Sequence, residues 1–292
     1  MPKKLQEHYG IGLSASTVRA ITEYHAGQIY QAQELIIDQP QADGCKILIG
    51  EIDGSMIPIV TIDEEAEDKR KNKTLHWKEA RLCLVHEAGS TTPTFGATFS
   101  GTVADAGQQL YHCAVQAGFG KRTHLHAVGD GATWIADQID EQFGAQGNYL
   151  IDFYHICDYL AAAAKSCQPK NEKAWMDQQK TRLKQNDYPD ILEELDAFLE
   201  ADTIELQNTP VRVCYRYIKN RPDQLDYKAA LIQGLPIGSG EIESAHRYVI
   251  QQRLKLPGAW WAHDNVDSML ALRIIRANNQ WDEYWNQKRQ AA

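Results

Sequence analysis

Three acidic residues that are far apart in the sequence lie in short segments that suit a catalytic role. Asp53 lies in IDG, Asp130 in GDG and Glu243 in GSGEIE. Taken singly, they fit a turn, a loop and a solvent-facing helix. We expect Asp53 at the end of a first strand, Asp130 at the carboxyl end of a fourth strand, and Glu243 on a helix after an insertion. Ligands gather beside the carboxyl ends of strands in open α/β sheets, so the fold would bring the three together.

Carboxylates held this close repel one another unless cations neutralise them. Magnesium prefers oxygen ligands and keeps several waters, which suits such a set. When two metal ions lie about 3.5–4 Å apart, one activates the attacking oxygen and the other stabilises the leaving oxygen. The sequence therefore predicts that Asp53, Asp130 and Glu243 hold two Mg²⁺ or Mn²⁺ ions and perform phosphodiester chemistry.

Glu241 is an alternative third acid. Residues two apart on a helix are separated by roughly 200° of rotation, so Glu241 and Glu243 cannot both point into one cleft. Asp152 and His155 form a D-x-x-H segment that could support the site. A histidine that holds the end of the sheet is an equal interpretation of His155.

A zinc site is a weaker alternative. His124 and His126 alternate along one predicted strand. Together with Asp130 and His155 they would make a zinc hydrolase, but no third ligand is spaced to join the two strand histidines.

A basic segment with two tryptophans follows Glu243. Its cations could bind phosphates, and the tryptophans, after the Pro257-Gly258 break, could stack on bases. The candidates are Arg247, Arg253, Lys255, Trp260 and Trp261.

The elements that must position these residues begin with strands. KILIGEIDGSMIPIV, from Lys46, is an apolar run divided by Asp53-Gly54, and this dipeptide predicts a hairpin that turns there or a residue or two later. EARLCLVHEA, from Glu79, predicts a third strand. A helix at 104–118, a strand from His124, a helix from Thr133 to Gly144 and the strand NYLIDFYHI at 148–156 complete the order βββαβαβ.

Helical patterns occupy both ends of the chain and its second half. Residues 13–29 predict a helix capped by Ser14 or Ser16, which is either half of a helix-turn-helix or a helix packed on the core. We expect a helix from Ser239 to about Leu254 and another from Asn265. The predicted domains are 1–40 (a helical, helix-turn-helix-like remnant), 41–160 (the first part of the α/β core), 161–236 (an all-α insertion) and 237–292 (helices that complete the core).

Composition limits the function. The chain has 292 residues, 43% of them hydrophobic, and a net charge of −9, which opposes nucleic-acid binding by the whole surface. Acids cluster at 63–68, whereas seven cations in the last third could form a local basic groove. These cations are Arg212, Arg216, Lys219, Arg221, Arg247, Arg253 and Lys255. The six cysteines occur singly and predict free, mostly buried thiols. With no signal sequence or membrane span in the pattern, we expect a cytoplasmic protein.

Five motifs occur in an order that resembles a known family. EIDGSMIPIV, HWKEARL, VGDGATWI, DFYH and GSGEIESAHRYVIQQRLKLPGAWW together resemble the ISKra-type bacterial insertion-sequence transposases, which are relatives of the Mutator-like branch. The resemblance covers about residues 13–285. It implies a ribonuclease-H-like fold and a DDE-type enzyme whose three acids fall on Asp53, Asp130 and Glu243.

The resemblance also implies a reaction and partners. An activated water would cut the transposon end, and the freed 3′-hydroxyl would attack target DNA at the same site, with no covalent protein intermediate. Such enzymes act as homo-oligomers on DNA, here associated with the nucleoid. The family's upstream DNA-recognition region has no counterpart ahead of residue 13, so we expect end binding to be impaired. The alternatives are a nuclease of the same fold and an inactive or truncated remnant that only binds DNA.

Overall fold

The sheet has five strands and mixed pairing. A computed structural model describes residues 2–63, 65 and 72–290. Its strands are β1 (Ile47–Ile62), β2 (Lys73–Glu87), β3 (Thr94–Thr98), β4 (His124–Gly129) and β5 (Gly147–Ile151), in the order β3-β2-β1-β4-β5. β1 to β3 pair antiparallel, and β4 and β5 run parallel to β1. The predicted mixed α/β class is confirmed. The chain also shows the order βββαβαβ, although its first three strands are not the segments that were predicted.

Helices cover both faces of this sheet. In the described part of the chain they are α1 (Pro2–Tyr9), α2 (Ala15–Gln31), α3 (Val103–Gln116), α4 (Thr133–Phe143), α5 (Phe153–Cys167), α6 (Glu172–Gln185), α7 (Tyr188–Asp196), α8 (Pro210–Lys219), α9 (Tyr227–Ile232), α10 (Gly240–Ala245), α11 (Gln252–Leu254), α12 (Val266–Ala277) and α13 (Trp281–Gln290). A π-helical stretch, His246–Gln251, joins α10 to α11.

Alternation along β1 divides the core into two clusters, because successive side chains of a strand point to opposite faces. Leu48 and Ile52 face the cluster that includes α3, α4 and the helices α5 to α9. Ile57 and Ile59 face the second cluster, which is completed by α10 to α12. The segment between β5 and α10 is helical and shares its core with the sheet, and its first helix, α5, begins before the predicted boundary at 161.

The predicted hairpin at Asp53-Gly54 is wrong. β1 runs through this dipeptide, and Asp53 pairs with Leu82 of β2. Asp53 consequently lies within the strand rather than at its end. The dipeptide did not form a turn because β-prone residues continue on both sides of it and the partner strand is long enough to pair with all of them. The connection lies at 63–72, where Asp63 and Glu65 of the acidic cluster are described and residues 64 and 66–71 lie outside the described residues.

The third antiparallel strand is also not the predicted one. EARLCLVHEA belongs to β2, and the third strand is β3, a five-residue segment, TFGAT, too short and polar to have been noticed. The predicted strand at 148–156 ends at Ile151, because the Asp152 carboxylate accepts from the N–H groups of Tyr154 and His155 and caps α5.

The caps of other helices were predicted unevenly. Ser14 caps α2 as expected, accepting from the Thr17 N–H at 3.0 Å. α4 ends at Gly144 as expected, but its N-cap is Ala132 rather than Thr133, without a capping hydrogen bond from its side chain. The single helix predicted from Asn265 is two helices, α12 and α13.

The second helix, α2, packs on the C-terminal helices α12 and α13. His25 Nδ1 lies 2.7 Å from Tyr284 Oη, which ties α2 to α13. This contact supports the interpretation of α2 as a helix packed on the core, and DNA recognition by it stays a prediction. All six cysteines are free and five are buried. In the described ranges we find no helix with the length and apolar character needed to span a bilayer.

Candidate functional site

Acids follow the carboxyl ends of β4 and β5, and another acid occupies the matching position in the interior of β1. Glu51 of β1 pairs with Val128 of β4, which pairs with Leu150 of β5. Two positions later in the sequence, the chain has Asp53 after Glu51, Asp130 after Val128 and Asp152 after Leu150. Because side chains of a strand alternate with a period of two, Asp53 lies on the same face as Glu51. Asp130 and Asp152 directly follow the last residues of β4 and β5. Neighbouring strands are about 4.8 Å apart, so the register brings the three backbone positions to the same edge. We call Glu51, Asp53, Asp130 and Asp152 the acidic edge.

Asp130 is exposed on a loop whose backbone groups are hydrogen-bonded to neighbouring side chains. The carbonyl of Asp130 accepts from Tyr217 Oη at 2.6 Å, and Gly131 N–H donates to Tyr149 Oη at 2.9 Å. Arg221 Nε donates to the Gly131 carbonyl at 3.1 Å. Gly131 has φ +84°, and a β-carbon there would collide with Tyr217 Oη, so only glycine fits. Burial raises the pKa of the Tyr217 phenol, which keeps it protonated as the donor. The loop is therefore fixed while the carboxylate faces solvent.

Asp53 is partly exposed and faces a buried histidine. Its Oδ1 accepts from the Gly54 N–H at 2.7 Å, and its Oδ2 lies 3.2 Å from His246 Nε2. The His246 side chain is buried, and neither of its ring nitrogens makes a well-aligned hydrogen bond within the described chain. His246 opens the π-helical stretch, a local geometry that is frequent at functional sites.

Glu51 is the buried member of the acidic edge. It is 1% exposed, and its Oε2 accepts from the Ile242 N–H in the first turn of α10 at 2.7 Å. Burial raises the pKa of Glu51 to about 8; the Ile242 N–H opposes the shift, and the charges of Glu241, Asp152 and Glu243 add to it. The hydrogen bond from Ile242 places the first turn of α10, which carries Glu241 and Glu243, against Glu51.

Glu241 and Glu243 leave α10 on opposite flanks. Ile242 faces β1, and each neighbour is rotated by about 100° from it, in opposite senses. Glu241 Oε2 lies 3.2 Å from Nε2 of His86, which is on β2. Glu243 is exposed on the other flank of α10.

Asp152 and His155 hold the structure together. Besides capping α5, the Asp152 carboxylate accepts from both the N–H and the Oγ of Ser239, at 2.7 and 2.6 Å. Asp152 therefore links the end of β5 to the start of α10. The half-buried His155 ring packs against Tyr159 and Tyr217.

The carboxylates are not assembled into a closed metal site. Among the described residues, no group of three or more His, Cys, Asp and Glu side chains is arranged to hold a metal ion. The alternative zinc set shares this property. His124 is exposed, whereas the buried His126 ring bonds the Pro236 carbonyl at 2.8 Å. Burial lowers the pKa of His126, so the ring stays neutral.

The candidate DNA-binding residues differ in exposure and in the contacts that their side chains already make. Arg247 and Trp260 are exposed. Lys255 Nζ lies 3.3 Å from Ser55 Oγ. The Arg253 guanidinium lies 4.9 Å from the centre of the Trp261 ring. Trp261 is tied to the edge of β1, where its backbone exchanges hydrogen bonds with Pro58 and Val60. Of the two tryptophans, Trp260 is the one available for stacking.

Three residues at this edge were not recognised from the sequence. Glu51 lies two residues before Asp53, so strand alternation alone would have placed both on one face. His246 lies four residues after Ile242, on the same side of a helix. His86 has no comparable signal, because its place beside Glu241 depends on the register of β2 against β1.

The chain was compared with curated proteins and with protein-family models. No curated protein matches it. Residues 119–289 match the model of the uncharacterised protein family UPF0236. This match covers more than half of the chain, including Asp130 and Glu243, and begins after Asp53. The chain therefore belongs to the uncharacterised family UPF0236.

Proposed function

We propose that this chain is a DNA transposase of the DDE type on a ribonuclease-H-like fold, which cleaves transposon ends and joins them to target DNA. One observation carries the proposal. Asp53 and Asp130 stand two residues beyond a paired row on adjacent parallel strands, and the helix with Glu243 is hydrogen-bonded to that row through Glu51. The sheet order β3-β2-β1-β4-β5, with three antiparallel strands first, is compatible with this fold. The resemblance of the five motifs supplies the reaction type.

The donor chemistry suits a hard divalent cation. Asp53, Asp130 and Glu243 offer carboxylate oxygens with access to solvent, as Mg²⁺ or Mn²⁺ requires. Among the described residues these three side chains are not arranged to hold a metal ion by themselves. We therefore expect two ions to bind when the DNA phosphate supplies further oxygen ligands. When bound, such cations polarise the phosphate and lower the pKa of water.

The chain's own residues orient the reactants. Tyr217 and Arg221 fix the Asp130 loop, His246 faces Asp53, and Arg247 is exposed one helical turn after Glu243. In the first step a water oxygen bonds to phosphorus and loses its proton to solvent, while the P–O3′ bond breaks and the leaving 3′ oxygen takes up a proton from solvent to become a hydroxyl. In the second step the freed 3′-hydroxyl attacks a target phosphodiester in the same way.

The orientation of α10 favours Glu243 over Glu241 as the third acid. Glu241 is turned toward His86 on β2, which is on the opposite side of β1 from β4, whereas Glu243 is exposed on another flank of α10. The proposed partners are transposon-end and target DNA, bound by a homo-oligomer in the bacterial cytoplasm.

A second candidate is a remnant that binds DNA without cutting it. The absence of a closed three-ligand group in the described residues favours this candidate. It shares the DNA partner but predicts no product.

Cleavage of a donor DNA separates these candidates. The donor carries the segments that flank the coding sequence of the chain, and the reaction contains Mg²⁺ or Mn²⁺. We expect the full chain to cut it and EDTA to stop the reaction. Asp130→Asn should lower the rate about a hundredfold or more, because a ligand charge is lost with little change in volume. The matched control is Asp137→Asn, an exposed aspartate on α4.

The outcomes are distinct. Equal rates for Asp130→Asn and Asp137→Asn would refute the assignment of the acids. A chain that binds the donor and never cuts it would establish the remnant. A pre-cut donor distinguishes a transposase, which joins its 3′ end to a second DNA, from a nuclease, which does not.

A further inference from the structure

A small groove lies beside the Asp130 loop, on the helical segment. It has a volume of about 210 Å³ and is lined by Tyr159 of α5, Arg216 and Tyr217 of α8, and Asn220 and Arg221 after α8. This volume is below the roughly 300–1,000 Å³ of sites that enclose a whole small ligand, so the groove suits one unit of a longer molecule.

Its walls combine aromatic rings and cations with two aliphatic side chains, Leu206 and Val213. The Tyr159 and Tyr217 rings are stacked, with centroids 4.2 Å apart and an interplanar angle of 22°. The Arg221 guanidinium lies 4.3 Å from the centre of the Tyr217 ring. Arg216 is exposed. Among the described residues that line the groove there are two arginines and no aspartate or glutamate.

The groove is connected to the candidate site by hydrogen bonds. Two of its lining residues reach the Asp130 loop: the Tyr217 hydroxyl donates to the Asp130 carbonyl and Arg221 Nε donates to the Gly131 carbonyl. A nucleotide bound in the groove would therefore lie next to the loop that carries Asp130.

We propose that this groove binds one nucleotide of a single DNA strand next to the phosphate that is cut. A base extends the stack of Tyr159 on Tyr217, and the adjoining phosphate pairs with Arg216. Aromatic stacking together with cations is how proteins hold single strands without reading their sequence. This inference rests on the proposed function for its position in the reaction, but the binding itself can be tested without cleavage.

The test measures binding of a fluorescein-labelled single-stranded oligothymidylate to the full chain by fluorescence anisotropy at several salt concentrations. Arg216→Gln should weaken binding about tenfold, because a hydrogen bond to a charged group is lost. It should also reduce the slope of log affinity against log salt by about 0.7. Tyr159→Leu should weaken binding about fivefold or more and leave that slope unchanged. The matched control Arg289→Gln changes an exposed arginine of α13 and should have no effect.

The inference is overturned if the unmodified chain does not bind the oligothymidylate, or if Arg216→Gln and Tyr159→Leu bind it as well as Arg289→Gln does. Tighter binding of the matching RNA, with the same losses in the variants, would overturn the assignment to DNA. Circular dichroism establishes that each variant is folded. Failure of the transposase proposal gives a different result, in which the groove variants lose binding while the unmodified chain cuts no donor DNA.

Discussion

Glu51 and Ile52 are neighbours in β1, both almost wholly buried, and they face opposite sides of the sheet. Ile52 packs into the apolar cluster formed with α3, α4 and the helices α5 to α9. Glu51 faces α10, on the side that also buries His86 and His246. Farther along β1 this second side becomes apolar at Ile57 and Ile59. In the described part of β1 and β2, the buried carboxylate and the buried histidine, Glu51 and His86, thus lie at one end of one face.

The two residues have opposite effects on stability: burial of Ile52 stabilises the fold, whereas burial of Glu51 opposes it. Burial of apolar surface contributes roughly 25 cal/mol per Å², whereas burial of an ionisable group costs free energy unless its charge is compensated. Nothing in the formation of the sheet requires Glu51, since an apolar residue would fill the same place. The burial of such a group at the candidate site is consistent with a role in positioning α10.

Removal of the apolar neighbour should have the largest effect on stability. Ile52→Ala leaves a cavity in a packed cluster and should lower the free energy of unfolding by about 2–5 kcal/mol. Urea denaturation followed by circular dichroism measures the change. Ile52→Val is the graded control and should lose about 0.5–1.5 kcal/mol. Equal stabilities for the three proteins would show that the two faces do not differ as described.

Removal of the charge at Glu51 should raise the stability of the chain. The pKa of Glu51 is about 8 in the folded chain and near 4.5 as a free side chain, so the folded state holds the proton more tightly. Stability is therefore lost as pH rises from about 4.5 through 8. Gln cannot ionise and retains an acceptor for the Ile242 N–H, so Glu51→Gln should be more stable than the unmodified chain by ~3 kcal/mol at pH 7.

The pH dependence makes this prediction specific. The stabilisation by Glu51→Gln should disappear below about pH 4.5, where both states of the unmodified chain are protonated, and should stop growing above about pH 8. Urea denaturation at pH 4, 6 and 8 gives the comparison. A variant that is less stable than the unmodified chain at pH 8 would mean that the Glu51 carboxylate stabilises α10.

The elements of the fold were largely predictable because hydrophobic periodicity determines them. The helices around 104–118 and 239–254 and the strand from His124 lie where the pattern placed them. The errors occurred where local signals compete with long-range pairing. Asp53-Gly54 is typical of a turn, but pairing with β2 keeps it in a strand. β3 is so short that only its partner makes it a strand.

The candidate site was predictable as a location but not as a set of contacts. The order of the strands was sufficient to bring Asp53 and Asp130 to the same edge. Two of the contacts made by Asp152 and His246 reach residues more than 80 positions away in the sequence, which no local pattern encodes. The same limit hid the orientation of α10, which depends on the hydrogen bond from Ile242 to Glu51.

The smallest effect on stability is expected at Glu241, which is exposed next to the face of the sheet that buries Glu51. The Glu241 side chain is 52% exposed beside His86, so Glu241→Gln should change the free energy of unfolding by no more than about 0.5 kcal/mol. Cleavage of the donor DNA should continue at a similar rate, since Glu241 faces β2 rather than Asp130. Glu243→Gln is the matched variant and should lower cleavage about a hundredfold at similar stability. If Glu241→Gln stops cleavage and Glu243→Gln does not, the third acid is Glu241, and α10 must rotate when DNA binds.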